Sequence, residues 1–229
     1  ITLQHIIETI TGQSLRDFAK ENIFDILGMQ YTDYLPTIQQ QDGKWINTVA
    51  CPWMDRIAPT EKQKDGSVLC GQVHDPLARI LNGGISGNAG IFSNANDIGI
   101  LAAALLNGGE YNGRRILSPL GVKTMCTVPR ELTAFGRTPG WDIFSPYASN
   151  KGDLFSPNTF GHTGYTGTSI IIDPDNDTAV ILLVNAVHPE DRHSIVRLRS
   201  LVANAVAASI CPPAQVYTDH YLSLIHISE

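Results

Sequence analysis

Thr159-Phe160-Gly161-His162-Thr163-Gly164-Tyr165-Thr166-Gly167-Thr168-Ser169-Ile170-Ile171-Ile172-Asp173-Pro174-Asp175-Asn176-Asp177-Thr178-Ala179-Val180-Ile181-Leu182-Leu183-Val184-Asn185 is the stretch on which the reading of the fold turns. Ile, Val and Leu dominate residues 168–173 and 178–185, and Pro174-Asp175-Asn176 between them supplies turn chemistry. The two runs are therefore expected to pair as an antiparallel hairpin. Residues 159–165 read as a further strand. Ile170-Ile171-Ile172 and residues 180–184 are apolar on both faces, and a strand of that kind needs cover on both sides. Ile195, Leu198, Val202, Ala205 and Val206 recur at helical spacing, so a helix over about residues 192–210 is expected to cover one face.

Upstream, the periodicity switches to that of helices. Leu3, Ile6, Ile7 and Ile10 form an i, i+3, i+4, i+7 stripe that ends at Gly12. Ser14 with Asp17 is a capping-box-like start for a second helix, which Gly28 closes. Residues 30–72, rich in Gln, Asp, Thr, Pro and Gly, read as a long irregular excursion with short strands that frames a site. Asp75-Pro76 opens a short helix to about Leu81. Ser93 reads as the cap of a helix over about residues 95–106, and Ser118-Pro119 opens another. The predicted fold class is α+β, with antiparallel strands packed against helices.

The balance of charge narrows the partners. Across 229 residues, 17% are charged and the formal net charge is −6, whereas nucleic-acid binding wants a basic face. The most apolar run, residues 98–106, is too short to span a bilayer. Cys51, Cys70, Cys126 and Cys211 form no Cys-x-x-Cys pair. That removes the zinc-ribbon and thioredoxin-like readings and leaves disulfides against partly buried thiols open. His188 and His193 have a ligand-like spacing but nothing nearby completes a metal site, so neither metal nor cofactor is expected.

Three stretches together resemble one family. Ile6-Ile7-Glu8-Thr9-Ile10-Thr11-Gly12, with Ile23-Phe24 and Leu27-Gly28-Met29, is the first. Gly71-Gln72-Val73-His74-Asp75, then Gly83-Gly84, Gly87-Asn88-Ala89-Gly90-Ile91-Phe92-Ser93 and Asp97, is the second. Phe160-Gly161-His162-Thr163-Gly164-Tyr165-Thr166-Gly167-Thr168 with Asp173-Pro174 is the third. In this order they resemble the β-lactamase-related serine hydrolases, a group that includes penicillin-binding-protein-like enzymes. The resemblance implies a β-lactamase/transpeptidase-like fold with a cleft between a sheet lobe and a helical lobe. It implies acyl transfer at an ester, peptide or β-lactam carbonyl by the serine of a Ser-x-x-Lys motif, aided by a Tyr-x-Asn tyrosine. Neither motif occurs in these 229 residues. In the family both lie upstream of the first helix here. The expectation is thus a C-terminal portion of one domain, residues 1–221, inert by itself. Residues 222–229, Leu-Ser-Leu-Ile-His-Ile-Ser-Glu, resemble the translation of a sequencing adapter and are set apart as non-native.

The resemblance also assigns candidate roles. His162 stands where a lysine is more usual. With Thr163 it would meet a substrate carboxylate, and the Tyr165 backbone N–H would be one of two oxyanion donors. Gly164 would let substrate approach, and Arg192 would assist the carboxylate. Taken alone, His162 reads as a strand-end histidine bonded locally, and only the resemblance turns it toward the site. His74-Asp75 reads as a packed histidine beside a helix cap, and Ser86-Gly87-Asn88 as a glycine turn that mimics a catalytic box. The substrate implied is a small molecule or a peptidoglycan-derived peptide, with esterase or peptidase chemistry favoured over antibiotic destruction by His-Thr-Gly. The alternative is a non-catalytic wall-peptide binding or accessory module. Family practice further implies a bacterial periplasmic or envelope location and permits fusion to a glycosidase.

Overall fold

A computed structural model of the protein describes residues 1–210 apart from Tyr147, Arg192 and His193. Residues 222–229, Cys211 and the other terminal positions lie outside the described residues. The chain opens with helix α1 (Thr2–Thr11), closed by Gly12 in the left-handed region. Ser14 then caps α2 (Leu15–Ala19) by accepting from the Asp17 N–H. Its hydroxyl also donates to Asp17 Oδ2 at 2.7 Å, so the expected Ser–Asp pair is present. A π-helical turn (Lys20–Phe24) leads into α3 (Asp25–Leu27), which ends at Gly28 with φ 74°.

The excursion that follows holds only short pairings. Strand β1 (Asp33–Tyr34) joins a later strand, and β2 (Thr37–Gln39) pairs with β3 (Trp45–Asn47). Helix α4 (Pro76–Ile80) is capped by Asp75, whose carboxylate accepts from the Ala78 N–H, with proline in its first turn. Strand β4 (Ile91–Phe92) closes the pairing with β1. The cap of α5 (Ala95–Leu106) is Asn94, not Ser93. The Ser93 hydroxyl lies 2.7 Å from Thr32 Oγ1, and Thr32 in turn donates to buried Asp97. That tertiary link takes Ser93 away from the helix end.

Strands β5 (Glu110–Tyr111) and β6 (Arg114–Arg115) form a small hairpin before α6 (Pro119–Met125), capped by Ser118 as expected. Then come the three strands read first in the sequence: β7 (Phe160–Thr163), β8 (Ser169–Asp173) and β9 (Thr178–Leu182). They form one antiparallel sheet in the order β7-β8-β9, with Ile171 opposite Gly161 on one side and Val180 on the other. Asp173 holds the hairpin turn. Its buried carboxylate accepts from the Asp175 N–H, Asn176 Nδ2, and both the N–H and hydroxyl of Ser156.

Two apolar clusters share α5. Leu15, Ala19, Phe24, Leu27, Met29 and Tyr34 meet Ala104 on one side. Val122, Ile143, Phe160 and Ile172 meet Ala102 and Leu105 on the other. Burial of each large side chain contributes roughly 1.5–3 kcal/mol, and the alanines let both layers approach the helix closely.

Two expected stripes do not face inward. On α1 only Ile7 packs against the core, while Leu3, Ile6 and Ile10 are exposed. The last helix, α7 (Val196–Ser209), starts later than the apolar spacing suggests. Its buried position is Ala203, whereas Leu198 and Leu201 are exposed. The inner face of α7 is instead small and polar: Asn204 accepts from the Asp153 N–H and Arg199 reaches the sheet lobe. Among the described residues, no helix is long and apolar enough to cross a membrane.

Candidate active-site cleft

Sequence places a glycine at 161 because a neighbouring backbone closes on it. A Cβ there would meet the Ile170 carbonyl oxygen at 2.3 Å. On its free edge β7 takes a further partner: Gly161 and Asp142 exchange two backbone hydrogen bonds of 2.9 Å. The approaching segment turns at Thr138-Pro139-Gly140, where Thr138 Oγ1 accepts from the Gly140 and Trp141 N–H groups. That turn brings Arg137 beside His162.

The resulting constellation is ordered from a buried carboxylate outward. Asp142 is 4% exposed and accepts from the Ser145 hydroxyl at 2.6 Å. Its Oδ1 lies 3.0 Å from Arg137 Nε. Arg137 Nη2 is 3.3 Å from His162 Nε2, and His162 Nδ1 is 2.9 Å from the Thr163 carbonyl oxygen. A carbonyl can only accept, so Nδ1 carries the proton and the Nε2 lone pair accepts from the guanidinium. Arg137 Nη1 and the Thr163 hydroxyl have no protein partner among the described residues. Both can meet an anion in the adjoining cleft, which measures about 480 Å3 and is lined by Arg137, His162, Thr163, Gly164 and Tyr165 on this side.

Past Thr163 the chain makes a tight turn into β8. The Gly164 N–H donates to the Thr168 carbonyl at 2.7 Å, and the Gly167 N–H donates to the Gly164 carbonyl at 3.1 Å. A Cβ on Gly164 would lie 2.3 Å from Thr168 Oγ1. A side chain at 164 would therefore have to displace the Thr168 hydroxyl. Arg199, from α7, spans the turn: its Nη2 donates to the Gly164 carbonyl at 2.8 Å and the Thr168 carbonyl at 3.0 Å. The Tyr165 N–H, next in the chain, has no acceptor among the described residues.

The far side of the cleft is lined by Ala186, Asp191 and residues 194–196, and none of the irregular excursion lines it, contrary to the expectation that the excursion frames the site. The excursion is instead tied to the chain that leaves β9. The Lys62 N–H donates to the Pro189 carbonyl at 2.9 Å, His188 Nδ1 lies 2.7 Å from the Thr60 carbonyl, and Asn185 donates to the Pro59 carbonyl. These bonds bind residues 59–62 to the chain leaving β9. The Tyr165 ring stacks on His74 at 5.7 Å and 21°. Its hydroxyl donates to Asp191 at 2.5 Å, and that carboxylate pushes the phenol pKa up. His74 Nε2 comes within 3.3 Å of Glu61 but without hydrogen-bond alignment.

The cleft therefore brings together His162, Thr163, Gly164 and Tyr165, while Arg192 lies outside the described residues. Arg137, Asp142 and Arg199 were missed. The only signal for Arg137 is an arginine before a Thr-Pro-Gly turn with an aspartate just beyond it. Ser86 is 1% exposed, donating to Asn88 and accepting from Asn82, which suits a structural turn. Asp75 caps α4, and His74 packs on Tyr165. His188 is committed through Nδ1 to Thr60, and His193 lies outside the described residues. Cys51, Cys70 and Cys126 are free thiols.

Known proteins share this arrangement of elements. Over 200 residues the chain is 36% identical to a protein of Escherichia coli K12 named "Putative D-alanyl-D-alanine carboxypeptidase", and 34% identical to its namesake in Salmonella gallinarum. Each match takes in 81% of this chain and 43% of the relative, so the chain spans under half the length of these relatives. Among solved structures, a Mycobacterium bovis beta-lactamase superposes with a TM-score of 0.57 at 20% identity, covering 91% of this chain and 61% of that one. A family VIII carboxylesterase gives 0.58 at 17% identity, covering 89% and 55%. Those likenesses establish the β-lactamase/transpeptidase-like fold. With the Beta-lactamase family model matching residues 1–204 in addition, the chain belongs to the beta-lactamase family.

Proposed function

We propose that this chain forms the carboxylate-binding and oxyanion side of the cleft in a serine carboxypeptidase-type hydrolase. Its substrate would be a peptidoglycan-derived peptide ending in D-alanine, and a whole protein acting on that substrate would work at the bacterial envelope. The observation that carries this reading is the Asp142–Arg137–His162 line beside the free Thr163 hydroxyl. A guanidinium held from behind by a buried carboxylate, with one nitrogen still open, is a fixed receptor for a terminal carboxylate. The relatives named as D-alanyl-D-alanine carboxypeptidases support the same substrate class.

The parts then divide the work. Arg137 Nη1 and the Thr163 hydroxyl take the substrate carboxylate. His162 buttresses Arg137 through Nε2. The Tyr165 N–H faces the scissile carbonyl oxygen and stabilises the negative charge that grows there. The attacking serine belongs to a Ser-x-x-Lys motif outside these 229 residues. Its Oγ bonds to the carbonyl carbon, the C–N bond breaks, and D-alanine leaves with the proton. Water then cleaves the acyl ester. Esters and β-lactams offer the same carbonyl, but only a substrate with a nearby carboxylate uses Arg137.

The test is the full-length protein, treated with a fluorescent serine-directed phosphonate and with a peptide ending in D-Ala-D-Ala. Labelling together with D-alanine release is expected, and this 229-residue chain should not label. A folded full-length protein that takes no label and releases no D-alanine would overturn the reading and favour a wall-peptide binding module.

A further inference from the structure

Among the described residues Arg199 has no carboxylate partner: its Nη2 donates to backbone carbonyls, and its buried Nε has no partner there. Burial draws its pKa below the ordinary guanidinium value. Arg199 is half-buried and lines the cleft, and drawing a cation even partly out of water is costly unless it does something the protein needs. A turn already closed by the Gly164-to-Thr168 and Gly167-to-Gly164 bonds does not need a charge to hold it.

What the charge touches is specific. The Gly164 carbonyl and the Tyr165 N–H belong to one planar peptide unit. Donation into the carbonyl oxygen draws electron density along the resonant amide and makes the N–H at the other end a stronger donor. Hydrogen bonds in series polarise one another in this way. The same bond, together with the Gly167 N–H on the Gly164 carbonyl, fixes the orientation of that peptide plane.

We infer that Arg199 is a positioning residue that acts through the Gly164–Tyr165 peptide, orienting and polarising the Tyr165 N–H as an oxyanion donor. The inference rests on the role given above to Tyr165. Its effect appears as oxyanion charge develops, so it belongs to the transition state and not to substrate binding. A neutral side chain at 199 leaves the N–H present but weaker. The loss is expected to be roughly tenfold, short of the ~10²–10³ that follows removal of a donor outright.

The experiment uses the full-length enzyme and its Arg199→Gln and Arg199→Lys variants. It measures kcat and KM on a D-Ala-D-Ala peptide, and the affinity of a peptide boronic acid, whose tetrahedral adduct carries the oxyanion. Arg199→Gln should lower kcat and boronate affinity by the same factor, with KM little changed. Arg199→Lys, which keeps the charge, should recover a good part of both. If Arg199→Gln lowers only the melting temperature, or if kcat and boronate affinity do not fall together, Arg199 is merely structural. If Arg199→Gln does not fold, Arg199→Lys decides alone: coupled partial losses support the inference, and an unaltered boronate affinity overturns it. A wild-type enzyme that binds the substrate but not the boronate removes the oxyanion role of Tyr165 itself, a failure visible before any variant is made.

Discussion

Replacing Arg137 by glutamine keeps the size and some hydrogen bonding at the cleft wall but removes the cation. In the wild type, Arg137 Nε is held by Asp142 at 3.0 Å and Nη2 by His162 at 3.3 Å, leaving Nη1 for the substrate. Its side chain is 45% exposed, so solvent screens the charge and the low-dielectric limit does not apply. A hydrogen bond to a charged group contributes about 1.5–3 kcal/mol net. At 1.36 kcal/mol per decade, Arg137→Gln should lower kcat/KM by roughly 10- to 100-fold on a peptide ending in a free carboxylate. On the same peptide with a terminal amide the loss should be under about threefold, because no charge is there to lose. The assay is the ratio of kcat/KM for the two peptides, wild type against variant, in the full-length enzyme. Equal losses on both would refute the reasoning, since they would assign Arg137 to the shape of the cleft and not to carboxylate recognition.

Three further outcomes are expected. Gly164→Ala puts a Cβ 2.3 Å from Thr168 Oγ1 and should cut kcat by at least tenfold. Adding Thr168→Ala should restore part of it, as steady-state kinetics on the single and double variants will show. The second concerns the Asp173 carboxyl. Burial acts to raise its pKa, but the bonds from Ser156, Asn176 and Asp175 outweigh it and hold the pKa below the ordinary carboxylate value. Its contribution to stability is therefore fully present above pH ~4 and lost as pH falls through the lowered value. Asp173→Asn should flatten that acid limb in melting curves taken against pH. Third, Cys70 is exposed while burial pushes the Cys126 thiol up to about 11. Iodoacetamide at pH 8 should label Cys70 in the native protein and Cys126 only after denaturation, by peptide mapping.

The sheet was legible because its chemistry is local. Runs of Ile and Val around Pro174-Asp175-Asn176 leave few alternatives to a hairpin, and Ser14, Asp75 and Ser118 announce helix starts through side chains that reach their own backbone. The outward stripes of α1 and α7 were not legible as such. Periodicity reports which residues share a face, but not what that face meets. Ser93 and Asn94 are both good caps, and only the partner Thr32, 61 residues away, decides between them. At the cleft, His162 to Tyr165 could be singled out because they are consecutive in the chain and form one stretch of the motif that carries the resemblance. Arg137 and Arg199 enter from separate segments through backbone bonding and helix packing, and no spacing in the chain encodes that meeting.

Helix α5 gives one side to the helical cluster and another to the sheet cluster, with Ala102 at 1% exposure and Ala104 at 0% marking the two contacts. The two clusters of this chain thus lean on opposite faces of one helix. A methyl group added at either alanine is relieved by shifting the helix toward the other cluster. Substitutions near Phe24 and near Ile172, remote from each other in sequence, should for this reason be felt together. The amino acids tolerated in one half depend on those already accepted in the other, and the two halves of the chain are bound to drift in step.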